Sequence, residues 1–277
     1  MIYIGILATI FVLFLLYGYL SNYFLSVTSY PIQDRRFLQD PIRICFLSDL
    51  HCCQFGKNNC RLIKKIQELN PDVILISGDL IVKNGRHTER ALGLLKELSL
   101  CYPVYYSPGN HEIKMPGYEE YRRRVRAMGI SYLENQTAEM GNAQICGLDL
   151  PLAYYHKIWQ KQKLSTKEMG MFLGKKQEDR YTILLAHNPE YFSTYKDWGA
   201  DLILSGHVHG GIMRLPVLGG VIAPSLQLFP RYDAGVFHEG DTMMILSRGL
   251  GTHHIKLRFF NVPELIVIDV QADVSGN

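Results

Sequence analysis

One pattern recurs along this chain and governs what it can fold into: a short run of β-type residues ends in a small residue followed closely by Asp, Asn or His. It occurs at residues 42–47 before Ser48-Asp49-Leu50-His51, at 73–76 before Ser77-Gly78-Asp79, and at 103–106 before Pro108-Gly109-Asn110-His111-Glu112. It returns at 181–185 before Ala186-His187-Asn188-Pro189, and at 201–204 before Ser205-Gly206-His207-Val208-His209-Gly210-Gly211. Residues 58–70 and 88–100 carry apolar side chains at helical spacing (Leu62, Ile63, Ile66, Leu69; Ala91, Leu92, Leu95, Leu98), and 118–128 predicts a third helix closed by Gly129. Strand and helix alternate, which predicts an α/β sheet with its ligands beyond the C-terminal ends of the strands. Residues 212–270 are short apolar runs divided by Gly and Pro and predict antiparallel or mixed sheet.

The strand ends share a chemistry. In extended chain, residues two apart share a face, so His207 and His209 can converge on one object while Val208 points away. Singly, each strand end has a dull reading: Asp79 and Asn110 as turn residues, His187 as the neighbour of a helix cap, the His207/His209 pair as solvated or core-satisfied. Turn chemistry does not explain why eight oxygen and nitrogen donors all follow strands. Imidazole and carboxylate without thiolate suit Mn²⁺, Fe²⁺ or Zn²⁺. Seven ligands exceed one tetrahedral site and suit two ions about 3.5 to 4 Å apart that share a bridging carboxylate, leaving one histidine for acid work.

Composition bounds the setting. The 277 residues suit one large α/β domain or two small ones. Residues 1–20 carry no charge, and the first charged residue is Asp34, so this segment is long and apolar enough to cross a bilayer. A signal peptide is the competing reading, weakened by the absence of a preceding Lys or Arg and of a small-residue cleavage site. Three units are expected: an anchor over 1–25, a linker over 26–41, and a soluble domain over 42–277. Arg35, Arg36 and Arg43 follow the anchor, which by the positive-inside rule predicts a single-pass protein with its domain on the cytoplasmic side. The six cysteines form no metal-type pairs and fit a reducing compartment. A net charge of +3, with no basic block beyond Arg122-Arg123-Arg124, does not indicate nucleic-acid binding. That triplet reads as a solvated helix face, or as a contact to anionic headgroups.

These motifs, taken in order, resemble the calcineurin-like metallophosphoesterase superfamily: Asp49-Leu50-His51, Gly78-Asp79, Gly109-Asn110-His111-Glu112, His187 and Gly206-His207-Val208-His209, with Arg248-Gly249-Leu250-Gly251 similar to a membrane-associated bacterial branch. The resemblance implies a two-sheet β-sandwich flanked by helices, a four-layer αββα fold, behind one transmembrane helix. It implies one metal on Asp49, His51 and His209, another on Asn110, His187 and His207, and Asp79 as the bridge. Mn²⁺ is the first expectation for both, with Fe²⁺ or Zn²⁺ as alternatives. His111 is then the acid near the leaving group, Glu112 its orienting partner, and Arg248 a phosphate contact or a structural ion pair. Ser/Thr protein phosphatases extend the second motif to Gly-Asp-x-x-Asp-Arg-Gly, whereas this chain reads Gly78-Asp79-Leu80-Ile81-Val82-Lys83-Asn84, which argues against a protein substrate. The implied activity is hydrolysis of a phosphoester, phosphodiester or pyrophosphate in a small-molecule, nucleotide-linked or lipid-linked substrate, like the bacterial enzymes related to UDP-diacylglucosamine pyrophosphatases. The alternative is a tethered metal- or phosphate-binding protein without turnover.

Three further expectations concern loops. Residues 150–179 are polar and Lys-rich and read as a surface excursion, a lid or substrate loop. The stretch 215–218 reads as core or as a lipid-facing rim. His253 and His254 are weaker pocket candidates, while His87, His156 and His238 read as surface residues.

Overall fold

The computed structural model describes residues 1–37, 41–156, 162–211, 213–215, 219–221, 228–252 and 256–272. The chain opens with α1 (Ile2–Leu20), whose apolar side chains point outward and in which only Gly18 is buried. Then follow β1 (Ser26–Gln33), β2 (Ile42–Leu47), α2 (Cys60–Leu69), β3 (Val73–Ser77), α3 (Thr88–Ser99), β4 (Val104–Ser107), α4 (Asn110–Lys114) and α5 (Tyr118–Ala127). The middle comprises β5 (Ser131–Tyr132), β6 (Gln136–Met140), β7 (Ala143–Leu148), α6 (Thr166–Leu173), β8 (Tyr181–Ala186), α7 (Phe192–Trp198) and β9 (Leu202–Ser205). The last elements are β10 (Arg214–Leu215), β11 (Gly219–Gly220), β12 (Gly235–Glu239), β13 (Thr242–Leu246) and β14 (Glu264–Gln271).

Two six-stranded sheets carry the fold, in the orders β1-β14-β2-β3-β4-β5 and β12-β13-β9-β8-β7-β6. Side-chain alternation builds four layers from them. Ile44, Phe46, Val73 and Leu75 face Ile183, Leu185, Leu202 and Leu204 across the gap between the sheets. Cys45, Leu47, Ile74 and Ile76 face the other way, onto Leu62, Ile66, Leu92 and Leu95 of α2 and α3. On the outer face of the second sheet, Cys146, Leu184, Ile203 and Met244 pack on Met169, Phe192 and Tyr195 of α6 and α7. Each fully buried Leu or Ile contributes roughly 1.5 to 3 kcal/mol, so three stacked apolar layers fix both the separation and the register of the sheets. The two-sheet sandwich flanked by helices is the architecture expected from the sequence.

Two sequence expectations need correction. Residues 26–33 of the expected linker form an edge strand, paired in parallel with the C-terminal β14 from Ser26↔Glu264 to Gln33↔Gln271. Local periodicity could not show this, because the partner lies at the far end of the chain; Pro31 is tolerated because an edge strand needs hydrogen bonds on one side only. The excursion over 150–179 is not a plain surface loop either. It contains α6, started by a capping box in which Ser165 and Glu168 satisfy each other's backbone N–H groups, and α6 buries Met169 in the third apolar layer. Residues 157–161 of that segment, 216–218 of the apolar stretch, and His253 with His254 lie outside the described residues.

Candidate metal centre

Backbone geometry at the strand ends is unusual. Asp49, His51, Asp79, His207 and His209 have φ of 51°, 48°, 56°, 75° and 54°. Non-glycine residues seldom adopt this left-handed region, and such strain persists mainly where the surroundings over-determine it for function. The surroundings here are the neighbouring strand ends. The Asp49 N–H donates to the Gly78 carbonyl at 3.1 Å and the His51 N–H to the Asp79 carbonyl at 3.0 Å. The His207 N–H donates to the Asp49 carboxylate at 3.1 Å, and the Gly206 N–H to the His187 carbonyl at 3.2 Å. Close crossing also requires glycine: a Cβ on Gly78 would stand 2.6 Å from Gly109 Cα and 2.8 Å from His187 Nδ1.

These turns bring the expected ligands together. Nε2 of His51 and Nε2 of His209 lie 3.1 Å apart, and they lie 3.8 Å and 3.5 Å from Asp49 Oδ1. Asp79 Oδ2 lies 3.1 Å from His187 Nε2 and 3.9 Å from His111 Nε2. Within 4.8 Å the donor atoms gather as Asp49–His51–His209, as Asp79–His187–His207 and as His51–Asp79–His111. The first group comprises the three residues expected to share one metal, and the second joins His187 and His207 to the expected bridge Asp79. The third puts His111 closer to the donor cluster than an acid merely nearby.

The donor set fits divalent cations. Asn110 Oδ1 and His187 Nε2 are buried and have no hydrogen-bond partner among the described residues, although His187 Nε2 approaches Asp79 closely. Leaving Asn110 Oδ1 unmatched costs about 1 to 3 kcal/mol, whereas His187 Nε2 pairs with Asp79 Oδ2 at 3.1 Å; both residues are ones the family resemblance implies as metal ligands. The far nitrogens are fixed by backbone carbonyls: His51 Nδ1 on Ile81 at 3.2 Å, His187 Nδ1 on Ser77 at 2.7 Å and His209 Nδ1 on Gly251 at 3.2 Å. An N–H at each Nδ1 leaves Nε2 as the atom that faces the cluster, and loss of any Nε2 proton would give the tautomer that ligation needs.

Electrostatics show how much the cluster depends on positive charge. Burial pushes the Asp49 carboxyl up to about 6 against the pull of His187. Burial also opposes ionisation of Asp79, yet the imidazoles of His187 and His111 hold it well below the usual carboxylate range. Burial disfavours a charged His187, but Asp79 and Asp49 override it and push its pKa up to about 10. His207 moves the other way, to about 3, through burial and the proximity of His187.

Glu112 acts on a different target from the one expected. Its fully buried carboxylate accepts the N–H groups of Asp79 at 2.8 Å, Leu80 at 2.8 Å, Ile81 at 3.3 Å and Gly109 at 3.0 Å, and the Tyr106 hydroxyl at 2.7 Å. It therefore sets the loop that carries Asp79, while Nδ1 of His111 accepts the Lys83 N–H at 3.1 Å. Arg248 takes the structural of its two expected roles, donating from Nη2 to Glu264 at 2.9 Å and to Ser26 Oγ at 3.2 Å.

Sequence reasoning missed three residues. The fully buried Arg258 guanidinium donates to the carbonyls of Arg248 at 3.0 Å, Asn261 at 3.1 Å, Gly249 at 3.2 Å and Gly251 at 2.7 Å. Asn261 Nδ2 donates to the carbonyls of His209, at 2.7 Å, and of Gly211. Together they hold the carbonyl that orients His209 and the turn that carries it. Neither stands in a motif; an arginine within Lys256-Leu257-Arg258-Phe259-Phe260 gives no local sign of burial. Tyr155 stacks edge-on against His207 with ring centroids 5.3 Å apart, and its buried hydroxyl has no hydrogen-bond partner among the described residues.

Comparison with known proteins gives the family. The calcineurin-like phosphoesterase family matches residues 42–211, more than half of the 277-residue chain. An uncharacterized metallophosphoesterase of Helicobacter pylori J99 is 28% identical over 82% of this chain, which spans only 59% of that relative's length. The phosphodiesterase YaeI of Escherichia coli K12 is 28% identical over 83% of this chain and 82% of its own. The crystal structure of TT1561 from Thermus thermophilus shares the fold at a TM-score of 0.51 and 16% identity, covering 76% of this chain and 90% of that one. With its strand-end donors gathered into one buried cluster, the chain belongs to the calcineurin-like phosphoesterase family of metal-dependent phosphoesterases.

Proposed function

We propose that this chain is a membrane-anchored hydrolase that uses two divalent cations to cleave a phosphodiester or pyrophosphate carried by a lipid-linked or nucleotide-linked substrate. The observation that carries this reading is the reach of Asp79, whose carboxylate belongs to two of the three donor groups and lies 3.1 Å from His187 Nε2 and 3.9 Å from His111 Nε2. In this proposal Asp49, His51 and His209 hold one cation, Asn110, His187 and His207 the other, and Asp79 both; Mn²⁺ is the first candidate, ahead of Fe²⁺ or Zn²⁺. When bound, such ions neutralise phosphoryl oxygens and lower the pKa of a water that attacks in line. The protein's own part is to orient the ligands and to supply His111. Nδ1 of His111 accepts the Lys83 N–H, which leaves the ring proton on Nε2 to face a departing oxygen; burial lowers the pKa of His111 while Asp79 opposes that shift. Glu112 keeps Asp79 in its left-handed turn, and Arg258 keeps His209 in place.

The membrane part of the proposal rests on α1, the one helix among the described residues that is long and apolar enough to cross a bilayer. The basic residues Arg35, Arg36 and Arg43 after it favour a domain on the cytoplasmic side. E. coli YaeI, named a phosphodiesterase, supports a diester over a monoester.

The test uses the full chain in detergent, because β1 would be lost from anything that starts at residue 42. With Mn²⁺, bis(p-nitrophenyl) phosphate should be hydrolysed faster than p-nitrophenyl phosphate. His111→Ala should keep its metal while turnover drops about 100-fold or more. Metal-loaded chain inert towards both compounds, and towards nucleotide-sugar and lipid pyrophosphates, would instead assign it to metal or phosphate binding without turnover.

A further inference from the structure

The end of α1 does not merely lead into the domain. Phe14 stacks on Phe259 with ring centroids 4.2 Å apart and planes 11° apart, and Tyr17 meets Phe260 at 5.6 Å. The Arg258 N–H donates to the Gly18 carbonyl at 2.9 Å, and Asn22 Nδ2 donates to the Lys256 carbonyl at 3.0 Å. A Cβ on Gly18 would stand 2.5 Å from the Phe259 ring, so the contact needs glycine. Phe14 lies six positions before Leu20, about 9 Å along the helix axis. If the apolar residues of α1 occupy the bilayer, Phe259 is drawn below the point where the helix leaves it, and residues 256–260 are pressed into the membrane surface.

The neighbouring backbone is built to meet that surface. Phe259 bridges Met213, Val221 donates to the Met213 carbonyl at 2.8 Å, and Phe229 donates to the Val221 carbonyl at 3.0 Å, so these segments lie side by side. On them Leu228, Phe229 and Phe260 are exposed by 63%, 58% and 54%. Phe229 and Phe260 also have φ of 47° and 53°, a backbone region in which a bulky side chain is an outlier. Two strained, outward-facing phenylalanines on segments joined to an apolar helix form a patch continuous with that helix, with exposed Lys256 beside it for anionic headgroups. The same segments reach the metal cluster through Asn261, which holds the His209 carbonyl at 2.7 Å.

We infer that Leu228, Phe229 and Phe260 form a rim that docks into the lipid bilayer beside α1 and lays the metal centre at the membrane surface, where its substrate is the phosphate headgroup of an amphiphile in the same bilayer. The substrate half of this inference rests on the proposed hydrolase; the docking half does not. The full chain is placed in phosphatidylcholine vesicles, and the variants F229W and F260W are compared with the parent, whose Trp159 and Trp198 set the background. Lipids brominated in the acyl chain should quench the added fluorescence at both positions by about half or more. Hydrolysis of a phosphodiester amphiphile in the vesicles should drop about tenfold in F229D and F260D, with bis(p-nitrophenyl) phosphate turnover within about twofold of the parent. Added fluorescence that bromine does not quench would overturn the docking, and if it came with a concentration-dependent dimer it would assign the rim to a second copy of the chain. Quenching with no loss of amphiphile turnover in the Asp variants would overturn the substrate half. A parent inert towards every phosphoester would sink the hydrolase reading and leave the quenching result standing.

Discussion

Two buried clamps hold the site, and they are opposite in charge. Glu112, beside the ends of β3 and β4, gathers N–H groups from Asp79, Leu80, Ile81 and Gly109. Arg258, in the C-terminal part of the chain, gathers carbonyls from Arg248, Gly249, Gly251 and Asn261. Turns in left-handed conformation leave runs of backbone donors or acceptors without a ladder partner, and each clamp satisfies its run with one ion. The lesson lies in the sign. Glu112 adds negative charge beside Asp79 and Asp49, and burial together with Asp79 pushes its own pKa up to about 7. A cation in the cluster relieves that crowding. Arg258 adds positive charge near the same cluster, and burial pushes its pKa down to about 10. The first clamp therefore makes the site want metal, while the second only shapes it.

That contrast can be broken in order of expected effect. Arg258→Met leaves four carbonyls to find other partners and should cost about 3 to 5 kcal/mol of stability, read as a large drop in melting temperature. It should also weaken metal binding by about 10- to 100-fold through the lost orientation of His209. Glu112→Gln keeps one acceptor oxygen but turns an NH₂ towards a wall of N–H groups. It should cost about 2 to 3 kcal/mol and, unlike Arg258→Met, should lower the stabilisation gained on adding Mn²⁺, measured as the difference in melting temperature with and without metal. Gly18→Leu drives a side chain into Phe259 and should cost about 1 to 3 kcal/mol. Turnover of bis(p-nitrophenyl) phosphate should stay within about twofold, since α1 touches none of the ligands. Equal metal-induced stabilisation in the Glu112 and Arg258 variants would erase the distinction between the clamps.

The same contrast marks what the sequence could tell. Asp49, His51, Asp79, Asn110 and His111 each follow a strand closely enough that a local motif carries them, and the parallel order of β2, β3 and β4 follows from the helices between them. Glu112 was legible as a site residue because it sits beside His111, but its target was not, since a carboxylate that reaches across to the β3 turn leaves no trace in spacing. β1 and Arg258 were illegible for a shared reason. Their partners, β14 and the 248–251 turn, are set by long-range pairing rather than by local period, so residues 26–33 carry no local sign of an edge strand and Arg258 no local sign of burial.

Metal stoichiometry tests the central claim most directly. The full chain in detergent, loaded with Mn²⁺, dialysed and analysed by plasma mass spectrometry, should hold about two ions. His209→Ala and His187→Ala should each hold about one, and Asp79→Ala should retain neither firmly, because its carboxylate gathers with His187 and His207 on one side and with His51 and His111 on the other. A single ion in the parent, or full retention in the Asp79 variant, would contradict a two-metal centre built on these strand ends.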